Sequence, residues 1–79
     1  MTLTDEQILR LLDSMIEHQK KKVLSIARRL VPGITEEDVR NPHDFAELAD
    51  SQQFNFEDGI LAGYLSARIA LLAELRTME

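Results

Sequence analysis

The chain has 79 residues, of which 44% are hydrophobic and 29% charged, with 14 acids against 9 Lys and Arg for a formal net charge of −5. That length reads as one helical domain over 1–79, and the lack of cysteine excludes disulfides and thiolate metal sites. The acidic balance argues against broad phosphate binding, which relies on Lys and Arg, so nucleic acid is not the expected partner.

The opening "MTLTDEQILR" carries acids where a cleaved signal carries bases. The most apolar stretch, 60–73, is interrupted by Arg68 and is too short to span a bilayer. A soluble, cytoplasmic protein with no membrane partner is the expectation. A chain this short buries a modest fraction of its surface, and without disulfides the usual supports are a metal or self-association.

In chain order, the first element is a long amphipathic helix over about 5–30. Thr4 and Gln7 stand at the spacing of a capping box, and Ile8, Leu12, Met15, Ile16, Val23 and Ile26 recur at three- and four-residue steps. Pro32-Gly33 ends it, because proline disfavours helical geometry at Val31 and the pair favours a turn. Glu6 to Arg10 and Glu17 to Lys21 have the favourable i, i+4 order for ion pairs.

Two shorter start signals follow. Thr35 before Glu36, Glu37 and Asp38 predicts a helical turn. Asn41-Pro42 reads as a cap with proline at the first helical position, predicting a short helix from Pro42 to about Asp50 that turns Phe45, Leu48 and Ala49 inward. "DSQQ" breaks it.

The last helix is predicted over about 56–76, capped by Asn55 with Glu57 and Asp58 in its first turn, where acids complement the macrodipole. Asp58-Gly59 is also a hairpin signal, but Ile60-Leu61-Ala62 does not alternate as a strand must. Glycine inside a helix costs about 1 kcal/mol relative to alanine, and this helix carries two, Gly59 and Gly63. With Ala67 and Ala70 they form a run of small residues that lets another backbone approach closely. The fold class is therefore all-α: two long antiparallel helices joined by a connection with one or two short helices.

A last helix apolar almost all round needs more cover than one partner helix supplies. Two such hairpins pairing into a four-helix-type bundle would provide it. A homodimer is the expected assembly, with Gly59, Gly63, Ala67 and Ala70 of the last helix and Ile8, Leu12 and Met15 of the first as interface residues. The single chain folded compactly over the gap is the competing arrangement.

Candidates for chemistry are sparse. His43, Asp44 and Glu47, joined by Asp58, are the raw material of a metal-dependent hydrolytic site. On a helix, His43 and Glu47 share a face at i, i+4. No HExxH or paired ExxH pattern supports them, and such residues commonly serve as helix caps. No nucleophile elbow or phosphate loop is present. The Lys20–Lys22 run is a possible nucleic-acid surface, but its helix also carries Asp5, Glu6, Asp13 and Glu17 and no stacking aromatic. Phe45, Phe54 and Phe56 read as core anchors sealing one end of the bundle. No residue pattern identifies a family. The expected function is a non-catalytic protein–protein interaction or regulatory module that works through homodimerisation and uses no cofactor.

Overall fold

The computed structural model describes residues 2–78, and the elements in it are all helical. Helix α1 runs Asp5–Leu30. Its capping box is reciprocal: Thr4 Oγ1 accepts from the Gln7 amide at 3.1 Å, and Gln7 Oε1 accepts from the Thr4 amide at 2.8 Å. Asp5 and Glu6 lie in the first turn and Arg28 and Arg29 in the last, the signs the helix dipole favours at each end. The Val31 amide donates to the Ala27 carbonyl, and the chain turns through Gly33 at φ +83°, a conformation glycine adopts without a Cβ clash. Arg28 Nε donates to the Ile34 carbonyl at 3.3 Å and ties this turn back to α1.

The connection is more broken than expected. Helix α2 is the single turn Glu36–Val39, capped by Thr35 and Asp38 in a second reciprocal box. The predicted helix from Pro42 is instead two pieces, a 3₁₀ turn over Pro42–Asp44 and helix α3 over Ala46–Ala49, with Phe45 extended between them. The Asn41 side chain makes no capping hydrogen bond. Leu48 is fully buried and Phe45 packs on the core, but Ala49 is exposed.

Helix α4 spans Gln52–Thr77 and starts four residues before the expected position. Ser51 is the residue that caps it, accepting from the Phe54 amide at 3.1 Å. The Asn55 side chain faces the other way: its amide donates to the carbonyls of Ala49 at 2.9 Å and Ser51 at 2.8 Å, satisfying the end of α3. Glu57 and Asp58 therefore lie one turn inside α4.

Helices α1 and α4 run antiparallel, since Asp13 meets Arg68 while Gln19 and Lys22 meet Glu57. The core sits at the loop end, where Val23, Ile26 and Ala27 of α1 pack with Ile34, Val39, Leu48 and Phe54. Phe54 is 0% exposed, whereas Phe56 is 69% exposed and is no core anchor. Two residues apart on one helix, they face different directions. No α1 residue before Ile16 is buried, and no α4 residue after Glu57. The remainder of the molecule, 45 by 22 by 20 Å overall, is a bare two-helix arm. A Cβ on Gly59 or Gly63 would meet nothing within 4 Å, so the close neighbour their spacing calls for does not come from the described residues of the chain.

Candidate functional site

Three features of the helical pair bear on function: a covered polar cluster at the crossing, and a distinct surface along each broad side. The polar cluster interrupts the apolar seam. On α1, Gln19 stands between Ile16 and Val23 on the buried stripe, and Glu57 reaches it from α4. Gln19 Nε2 donates to the Glu57 carbonyl at 2.8 Å and lies 3.4 Å from Glu57 Oε1. Lys22 Nζ lies 2.8 Å from Glu57 Oε2. Glu57 is only 6% exposed, yet the cover is one layer thick, because Lys22 itself is half exposed. The Lys22 ammonium holds the Glu57 carboxyl below its ordinary value, outweighing the opposite effect of burial. Farther along the arm, Arg68 Nε donates to Asp13 Oδ1 at 2.6 Å and pins the two helices a second time.

One broad side bears a cleft of about 380 Å³ where α1, α2 and α4 meet. Val39, Leu61 and Leu65 supply its apolar lining, Lys20, Lys21 and Arg40 its cations, and Glu17, Glu36 and Asp58 its anions. Asp58 is partly covered here with no ion pair among the described residues, and burial raises its carboxyl above the ordinary value. The opposite side carries a shallower groove of about 300 Å³, lined by Ser14, Met15, His18, Gln19 and Tyr64. Ile8 and Leu11 precede Met15 by seven and four residues on that side of α1, and Ala67 follows Tyr64 by three on that side of α4. Leu11 is 58% exposed and Met15 39%.

The candidate metal residues are not brought together. His43 and Asp44 lie on the 3₁₀ turn and Glu47 on α3, all exposed, and the break at Phe45 removes the i, i+4 relation between His43 and Glu47. Asp58 lines the cleft on α4 instead. Among the described residues no three His, Asp or Glu side chains gather as a metal site requires. The lysine run is divided among carboxylates: Lys22 pairs with Glu57, and Lys20 lies 3.6 Å from Glu17, so Glu17 turns to Lys20 rather than to Lys21. Glu6 and Arg10 pair at 3.6 Å in the expected order.

Of the expected interface residues, Gly59, Gly63, Ala67 and Ala70 are exposed, Ile8 and Leu12 are half-buried and Met15 lines the shallower groove. Neither Gln19, whose signal was its place between Ile16 and Val23 on the apolar stripe, nor the role of Glu57, read only as a first-turn acid, was singled out from the sequence. The cleft joins residues from three elements, and no local pattern marks it. No helix among the described residues is long and apolar enough to cross a membrane. Compared with known families, curated proteins and solved structures, the chain matches none.

Proposed function

We propose that this chain is a protein–protein interaction module that works as a homodimer, two hairpins pairing through the Met15–Tyr64 side into a four-helix-type bundle. The observation that carries this is the apolar surface left open along the arm, from Leu11 and Met15 on α1 to Phe56 and the exposed small residues of α4. Large exposed apolar patches mark interaction sites on proteins, and these side chains are the material for one. A side measuring 45 by 22 Å is large enough for the ~800 Å² that each partner of a standard interface contributes. Gly59 and Gly63 lie on the adjoining outward strip of α4, where they would also let a second helix approach closely.

The lack of cysteine makes a direct test available. A single thiol introduced as Ala67→Cys lies on the proposed face, and one introduced as Lys21→Cys lies on the opposite side. Under mild oxidation the first variant is expected to cross-link rapidly and the second slowly. Equal rates, or no cross-linking of either, would reject the proposed face.

A further inference from the structure

We propose that the cleft between α1, α2 and α4 binds a small zwitterion with an apolar body, of the class of an apolar α-amino acid or a short peptide of such residues. The cleft lies on the side opposite the proposed dimer face, so this does not depend on self-association.

Size sets the first limit. A cavity of about 380 Å³ falls at the lower end of the ~300–1,000 Å³ range of small-molecule sites, with room for one or two aliphatic residues and not for a large cofactor. Val39, Leu61 and Leu65 supply the apolar surface such a side chain would cover. Val39 is itself part of the core, and its helix is held by the Thr35–Asp38 capping box, so this wall is formed before any ligand arrives.

Charge sets the second limit. Among the described residues, Lys21 and Arg40 line the cleft without an ion pair, and so do Glu36 and Asp58. Lys21 and Asp58 are borne by separate helices, α1 and α4, while Glu36 and Arg40 stand one turn apart on α2 and its C-cap with their charges left unpaired among the described residues. A ligand with one sign of charge would gain from half of this lining and be repelled by the other half. A ligand with both signs gains from each. Its ammonium would go to Asp58, the acid with apolar neighbours Leu61 and Leu65 and the least water, where a cation interacts most strongly. Its carboxylate would go to Arg40, whose planar fork matches a carboxylate geometrically, with Lys21 adding charge. The raised Asp58 carboxyl fits this placement, because an incoming ammonium would restore its ionised form.

The test is an amide-shift titration of the isotope-labelled full chain with L-leucine, leucyl-leucine, N-acetyl-leucine and leucinamide. L-leucine or leucyl-leucine is expected to give saturable shifts at Val39, Asp58 and Leu61, and the tighter of the two identifies the ligand as free amino acid or peptide. N-acetyl-leucine lacks the ammonium and leucinamide the carboxylate, and each is expected to bind at least tenfold more weakly. Asp58→Asn and Arg40→Gln, with helical content verified by circular dichroism, are each expected to weaken the parent ligand by a similar factor. Equal binding of the blocked compounds would overturn the two-charge arrangement. Absence of saturable shifts with both parent ligands would overturn the site.

Discussion

Gly63→Ala distinguishes a packed α4 face from an open one. In the single chain a Cβ at this position meets nothing within 4 Å, and the residue lies well inside Gln52–Thr77. Alanine is favoured over glycine at such a position by about 0.8–1 kcal/mol, largely because the unfolded chain has less freedom to lose. For a domain of this size that corresponds to a rise of about 4–8 °C in Tm. A second copy on the same face reverses the balance. Two added methyl groups would then enter the closest approach between helices, and overpacking of this kind typically costs about 1–3 kcal/mol. In dilute solution, where single chains dominate, Gly63→Ala is expected to melt above the parent protein. As concentration rises and dimers form, the advantage is expected to vanish or change sign. Thermal unfolding followed by circular dichroism over about a hundredfold range of concentration reads both regimes, because self-association makes Tm concentration-dependent. The same gain of about 1 kcal/mol at every concentration would refute close packing on the glycine face.

The remaining predictions concern the fold that positions these surfaces. Phe54→Ala removes a fully buried ring and is expected to cost about 3–5 kcal/mol in urea denaturation, while Phe56→Ala stays within about 0.5 kcal/mol in dilute solution. Ser51→Ala is expected to cost about 1 kcal/mol and to speed exchange of the Phe54 amide; Asn55→Ala leaves that amide protected and instead frees the carbonyls at the end of α3. Glu57 and Asp58 are expected to titrate with opposite signs. The Glu57 carboxyl is depressed by Lys22, so its contribution is present at neutral pH and is lost as pH falls below about 4.5 through its folded value; Glu57→Gln removes that loss. The Asp58 carboxyl is raised by burial, so protonation restores stability as pH falls toward its ordinary 3.8, and Asp58→Asn removes that gain; pH-dependent denaturation reads both.

What the sequence disclosed and what it concealed divide along a physical line. The bounds of α1, its capping box and the Thr35 turn were legible because each rests on interactions within a few residues of chain. The start of α4 was misplaced because both Ser51 and Asn55 suit a cap, and only the position of α3 decides which one does so. Asn55 is drawn to the carbonyls of Ala49 and Ser51, leaving Ser51 for the helix. Phe45 breaks the predicted helix after Pro42 and itself packs on the core; its extended backbone is nowhere signalled locally. Glu57 looked like an ordinary first-turn acid because its partners lie 38 and 35 residues away, at Gln19 and Lys22. The cleft was hidden for the same reason, since Val39 and Leu61 acquire meaning only once α2 folds over the helical pair. The glycine spacing on α4 did announce a need for close approach, and the single chain leaves it unfilled.

Sedimentation equilibrium of the unmodified chain beside Met15→Glu tests the central proposal most directly. The substitution puts a charge on the half-exposed lining of the Met15–Tyr64 groove, outside the core cluster. The expected result is a reversible monomer–dimer equilibrium for the unmodified chain, near 9.0 kDa when dilute and twice that mass when concentrated, with Met15→Glu held at the monomer mass. An unmodified chain that stays at the monomer mass at the highest concentrations reached would contradict it.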